Sequence, residues 1–147
     1  MRSEILLVSG PNLDQLGHRE PDVYGTATLD ELVTRFSDGA ARVGFSVRHV
    51  QSNYEGELIE AIHGARGQAA AVVINAGALT HPSWALRDAL AVFDGVSVEV
   101  HLSNPAARES FRQVSTLSGA VTGSIAGFGE TGYDLALEAV VRLAPRA

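Results

Sequence analysis

The chain has 147 residues, 46% of them hydrophobic and 19% charged, with a net charge of −6. That length suits one domain and is too short for two, and the acidic balance argues against general nucleic-acid binding, which needs a basic face against phosphates. All eleven basic residues are arginine and cysteine is absent, which excludes lysine Schiff bases, pyridoxal attachment, the phosphate-loop lysine, thiol catalysis and disulfides.

From Met1-Arg2-Ser3-Glu4 the chain runs straight into Glu4–Ser9, whose Ile5, Leu6, Leu7 and Val8 read as a fully buried strand. No cleavage signal precedes it and no apolar run reaches membrane-span length, so a cytoplasmic location is expected. Gly10–Thr26 follows as a long loop punctuated by Pro11, Gly17, Pro21 and Gly25, and loops of that length in compact domains are usually functional or disordered. Thr28 with Glu31 forms a capping-box pattern opening a helix that ends near Gly44. Phe45–Gln51 is the second strand, and Asn53 is placed to cap a helix running through Arg66 with Leu58, Ile59 and Ile62 on one face. Ala70–Asn75 is the third strand, Ser83–Val92 a short helix and Val96–Leu102 the fourth strand. Asn104-Pro105 starts a short helix to about Arg112, Ala120–Ala126 is the fifth strand, and Thr131–Leu143 the last helix.

Strand and helix alternate five times, which predicts a parallel sheet with helices on both faces. The expected fold is α/β: a single flavodoxin-like three-layer sandwich over residues 1–147, with strand order 2-1-3-4-5. Ligands of such sheets bind outside the carboxyl ends of the strands. The segments there hold Asn12, Arg19, Tyr24, Asn75, His81, His101, Arg108 and Arg112, a polar and cationic set on one edge.

Several local patterns carry chemistry, each with a plainer alternative. Gly127-Phe128-Gly129-Glu130-Thr131-Gly132 matches a dinucleotide-binding fingerprint. The acidic residue expected about 20 residues later, on a following strand, has no strand to sit on, so these glycines read as a tight strand–helix turn. Of the five histidines, His49 and His63 fall within elements, His18 in the first loop, and His81 and His101 after strands three and four; none shows a helical metal-ligand spacing. Glu99 and His101, two apart on one strand, point to the same face. A carboxylate there would stabilise an imidazolium and orient it as a general acid, or the two would be a structural ion pair.

Arg19 and Tyr24 share the first loop. Tyrosine ordinarily ionises near pH ~10, so a tyrosine base active near neutrality needs roughly 3–4 kcal/mol of phenolate stabilisation, which a permanently charged guanidinium can supply. The alternative is a tyrosine packed on Pro21. Tyr54 and Tyr133 are rival bases; Tyr133 reads as helix packing, whereas Tyr54 lies in a site-facing loop. Arg108 and Arg112, four apart on the predicted short helix, would share a face and hold a carboxylate, or form a solvated basic face.

Gly10-Pro11-Asn12-Leu13, Arg19-Glu20-Pro21, Tyr24-Gly25 and Val98-Glu99-Val100-His101-Leu102-Ser103-Asn104 resemble the type II 3-dehydroquinate dehydratases. So do Gln51-Ser52-Asn53, Ile74-Asn75, Thr80-His81, Arg108-Glu109 with Phe111-Arg112, and Ile125-Ala126-Gly127-Phe128-Gly129, over about residues 5 to 140. The resemblance implies a cofactor-free and metal-free anti elimination of water from 3-dehydroquinate to give 3-dehydroshikimate. It implies Tyr24 as tyrosinate base at C2, with Arg19 activating it and closing with the loop. An enolate would form, and Asn12 would hold the water bonded to its oxyanion. His101, positioned by Glu99 and Asn75, would protonate the departing hydroxyl. Asn75, His81, Leu102, Ser103 and Arg112 would bind substrate, and Asp88 would reach a neighbouring subunit's site. A homo-oligomer, a dodecamer of four trimers, is implied, with no nucleic-acid or membrane partner. The same reaction serves aromatic biosynthesis and quinate breakdown.

Asp14 and Gln15 stand where Asn and Leu are usual in that family, Tyr54 where His, Ala76 where Pro, and Leu79 where Tyr. Trp84 replaces a smaller residue, and Thr116 and Gly119 replace Tyr and Pro. Asp14 would add negative charge near a pocket meant for an anion. Two readings compete with the dehydratase: a related enzyme acting on another cyclic polyhydroxy acid, and a non-catalytic flavodoxin-like binding module.

Overall fold

The computed structural model describes residues 2–145. Its sheet has five parallel strands, β1 Glu4–Ser9, β2 Ser46–Gln51, β3 Ala71–Asn75, β4 Val96–His101 and β5 Gly123–Ala126, in the order β2-β1-β3-β4-β5. The predicted order is the observed one. Side chains alternate along a strand, so the unbroken apolar run of β1 divides between two cores. Ile5 and Leu7 face one side, packed with helices α2 Leu29–Arg42 and α5 Thr131–Leu143 through Leu32, Phe36, Tyr133 and Val140. Leu6 and Val8 face the other, against α3 Glu55–Ala65 and α4 Trp84–Ala91 through Leu58, Ile62, Leu86 and Leu90. The edge strands β2 and β5 are part-exposed, as strands covered on fewer sides must be.

Local signals set most helix ends. Thr28 Oγ1 accepts from Glu31 N–H at 3.2 Å, the expected cap of α2. At its other end Gly44 has φ +90°, and Gly44 and Phe45 N–H groups close on Ala41 and Ala40 carbonyls, the glycine-terminated ending that left-handed backbone permits. Ser83 Oγ caps α4 by accepting from Leu86 N–H at 3.0 Å.

Three elements differ from expectation. Asn53 does not cap α3: Tyr54 occupies that position without a side-chain cap bond, Ser52 Oγ accepts the Tyr54 N–H at 2.9 Å, and Asn53 is used elsewhere. The predicted helix from Asn104 to Arg112 is two short 3₁₀ turns, Pro105–Ala107 and Ser110–Arg112, separated at Arg108, whose backbone is extended (φ −107°, ψ −157°). A segment this short gains too few helical bonds to offset nucleation, so tertiary contacts of Arg108 decide its path. The fifth strand begins at Gly123, after Thr122 N–H has bonded Ser97.

The first loop is also more structured than its composition implies. It contains a 3₁₀ turn at Leu13–Gln15 and a one-turn helix α1 at Pro21–Tyr24. Among the described residues, no helix is long and apolar enough to cross a membrane.

Candidate active site

Between β1 and β3 the sheet order reverses direction, which opens a crevice at their carboxyl ends. The chains leaving these strands cross at very short range. A Cβ on Gly10 would lie 2.3 Å from the Ala76 carbonyl oxygen, and one on Gly77 (φ +60°) would lie 2.8 Å from that of Pro11. Only glycine permits that approach, and it brings Asn12 beside Gly77 and Ala78 on the wall of one cleft.

Asn12 itself is left-handed, with φ +69°. Its N–H donates to Asn53 Oδ1 at 3.0 Å, and Gln51 Nε2 reaches the same oxygen at 3.3 Å. Asn53 therefore serves the loop above it, holding a backbone conformation that costs free energy for a non-glycine residue. The bond links positions 41 apart in sequence, so the capping rule that placed Asn53 at a helix start carries no signal for it.

The cleft is lined by Asn12, Arg19, Tyr24, Asn75, His81, His101, Leu102, Ser103 and Arg112 among the predicted site residues. Pro11, Leu13, Gly77, Ala78, Pro105 and Arg108 complete it, around about 640 Å³ of empty space including its open mouth. Among the described residues, three arginines and no carboxylate line it, so the lining is cationic although the chain carries −6. Such a lining suits an anion.

Tyr24 sits between two guanidinium groups. Arg19 Nη2 donates to its hydroxyl at 3.3 Å and the Arg19 guanidinium carbon lies 4.4 Å from the ring centroid. Arg108 stacks on the ring at 5.1 Å and donates to Ser103 Oγ at 3.2 Å. The split of the predicted helix thus turns Arg108 onto Tyr24, and Arg108 and Arg112 reach the cleft from separate turns rather than one helix face. Glu20, itself at φ +26°, accepts two bonds from Arg19 at 3.1 and 3.2 Å. The rival tyrosines lie elsewhere. Tyr54 is 71% exposed and does not line the cleft. Tyr133 is buried, which pushes its hydroxyl up to about 12 despite a bond from Asn75, and packs edge-on against Phe36.

Below the cleft floor, Glu99 and His101 share a face of β4 as strand alternation requires, with His101 Nε2 to Glu99 Oε2 at 2.6 Å. The Glu99 side chain is 1% exposed and that of His101 13%. Burial opposes ionisation of Glu99, but bonds from His101, Thr80 and Ser115 outweigh it and hold the carboxyl at about 2. Thr80, Ser115, Ser118 and Ser124, which sequence reasoning missed, all donate to this carboxylate. His81 Nδ1 bonds the Val114 carbonyl at 2.8 Å. A carbonyl can only accept, so Nδ1 carries hydrogen. Asn75 lines the cleft, yet its amide bonds Gly77 N–H at 3.1 Å and the Tyr133 hydroxyl at 3.5 Å rather than His101.

Asp88 is exposed on α4 and outside the cleft of its own chain. Asp14 is absent from the cleft lining and shares a separate depression with His18, Asp30 and His49. The glycine-rich run before α5 is a turn, with Gly127 at φ +93° and Gly129 at φ +56°. Among the described residues, no group of three or more His, Cys, Asp or Glu is placed to hold a metal ion.

The family model described as Dehydroquinase class II matches residues 3–141. A 3-dehydroquinate dehydratase of Corynebacterium glutamicum is 50% identical over 143 residues, covering 97% of this chain and 99% of that protein. The "Catabolic 3-dehydroquinase" of Phaeosphaeria nodorum is 49% identical over 142 residues, or 97% and 93% of the two chains. The crystal structure of a type II dehydroquinase from Propionibacterium acnes superimposes with a TM-score of 0.91 at 42% identity, over 97% of this chain and 98% of that one.

Proposed function

Because the chain belongs to the class II dehydroquinase family, lyases that dehydrate 3-dehydroquinate, we propose that Tyr24 is the base and His101 the acid of that dehydration. Tyr24, as phenolate, takes the proton from C2, and the C–H electrons form an enolate with its charge on the C3 oxygen. A water held by Asn12 hydrogen-bonds that oxygen. His101, as imidazolium, gives a proton to the C1 hydroxyl; the C1–O bond breaks, water departs, and the C1=C2 double bond forms as the C3 carbonyl returns. The observation that carries this reading is the pairing of Arg19 with the Tyr24 hydroxyl at 3.3 Å on the same cleft as the His101–Glu99 pair. A phenolate formed there has two guanidinium groups beside it.

The cationic lining suits the substrate carboxylate, with Arg112 and the backbone at Leu102 and Ser103 as its holders. Asn75 and His81 take the hydroxyls. The mechanism assigns no step to a cofactor or metal. Oligomerisation is part of the reading: Trp84 (68% exposed) and Asp88 lie one turn apart on α4, and Phe111, Val114 and Phe128 add further exposed apolar area. A dodecamer of four trimers with Asp88 reaching the neighbouring site fits these surfaces, and a cytoplasmic location belongs to the same reading; light scattering reads the size.

The test is the ultraviolet absorbance of the conjugated product, followed after mixing 3-dehydroquinate with the purified protein and with Tyr24→Phe. Turnover by the wild type and a loss of at least about a thousandfold in the variant, with ligand binding kept, is the expected result. Turnover by Tyr24→Phe at the wild-type rate removes Tyr24 as base.

A further inference from the structure

Glu99 is 0% exposed and receives five donors. His101 Nε2 and Ser115 Oγ reach Oε2 at 2.6 and 2.7 Å, and Thr80 Oγ1 donates to the same oxygen. Ser118 and Ser124 Oγ reach Oε1 at 2.8 and 3.3 Å. The hydroxyls arrive from the turn after β3, the segment following Arg112, and β5, and Thr80 and Ser115 also bond each other at 3.0 Å.

Their chemistry is selective. A buried carboxylate can be satisfied by a guanidinium or by neutral donors. A guanidinium would cancel the charge of Glu99, whereas hydroxyl dipoles stabilise it and leave it to act on His101, its one ionisable partner among the described residues. That matters in this cleft. The titratable and charged groups that share it with His101 are Arg19, Arg108, Arg112, His81 and Tyr24, and the three arginines make its lining cationic. An uncompensated carboxylate beneath the ring counters them.

We propose that Ser115, Ser118 and Thr80 are positioning residues of the reaction, holding the Glu99 carboxylate in line so that it orients the His101 imidazole with its second ring nitrogen free for the substrate. Proton donation by His101 is the reading on which this rests. Thr80 also directly precedes His81, so the same hydroxyl set ties the general acid to the turn that carries a substrate ligand.

The experiment compares the wild-type enzyme with Ser118→Ala, Ser115→Ala and Ser118→Thr, which keeps the hydroxyl. Ser118 is on the exposed side of the carboxylate, so its alanine variant retains the fold; thermal melts check all three. Two quantities are read: kcat and KM across pH, and the nitrogen-15 resonance of His101 Nε2, assigned with His101→Gln. The expected result is a kcat loss of about tenfold in each alanine variant, the worth of one bond to a charged group. KM should stay within about twofold, and the Nε2 resonance should shift, with recovery of both kcat and resonance in Ser118→Thr. An unmoved resonance with unchanged kcat overturns the proposal. A moved resonance with unchanged kcat upholds the hold on His101 and instead removes His101 as the proton donor.

Discussion

Replacing Glu99 with glutamine keeps the side-chain volume and removes the charge, so it isolates what the buried carboxylate contributes to folding. Burial resists its ionisation, yet the bonds from His101, Thr80 and Ser115 prevail and hold it at about 2 against an ordinary 4.5. That difference corresponds to about 3 kcal/mol of folding free energy when the group is ionised in both states. Because the folded value lies below the unfolded one, the contribution is complete above pH ~5 and is lost as pH falls toward ~2; about 2 kcal/mol of it disappears between pH ~6 and ~3. Urea unfolding followed by circular dichroism, at several pH values over that range, measures it in both proteins. The wild type should lose about 2 kcal/mol more than Glu99→Gln as the solution is acidified. At neutrality the variant should also be weaker by about 1–3 kcal/mol, since a carboxamide brings a buried NH₂ donor into a shell of donors. The depressed carboxyls of Asp94 and Glu109 are exposed and common to both proteins, so they cancel. Parallel stability curves would refute the argument, because they would mean that Glu99 gains nothing from its shell.

Gly10→Ala should lower stability by about 3 kcal/mol or more, with loss of turnover, because its Cβ would meet backbone oxygen of Ala76 at 2.3 Å; an unchanged melting temperature would contradict the crossing geometry. Burial pushes the His49 imidazole down, against the attraction of Asp30, so its contribution to stability is complete above pH ~6.5 and is lost as the solution is acidified below that value. The fall in melting temperature from pH ~7.5 to ~5.5 should therefore be smaller in His49→Gln than in the wild type. Leu58→Ala empties a fully buried position under α3; a stability loss of about 2–5 kcal/mol by urea titration is expected.

Much of this fold was written in short-range patterns. The run Ile5-Leu6-Leu7-Val8 marks a strand covered on both faces, and Thr28 with Glu31 marks a helix start, because each depends only on neighbours within one turn or one pleat. Five alternations then leave few ways to wind a parallel sheet, so the order and the ligand-binding edge followed. The Glu99–His101 pair was legible for the same reason, since alternation along one strand is local geometry.

Tertiary structure alone decided the contacts between pieces of chain. It drew Asn53 from a helix cap to the N–H of Asn12, broke the segment after Asn104 so that Arg108 lies on Tyr24, and kept Asp14 out of the cleft lining. It left Tyr54 outside the cleft and gathered four hydroxyls around Glu99 from positions 16 to 25 residues away along the chain. No periodicity encodes such meetings. They depend on where loops travel, and a loop with few hydrogen bonds of its own takes the path that long-range side-chain contacts make lowest in free energy.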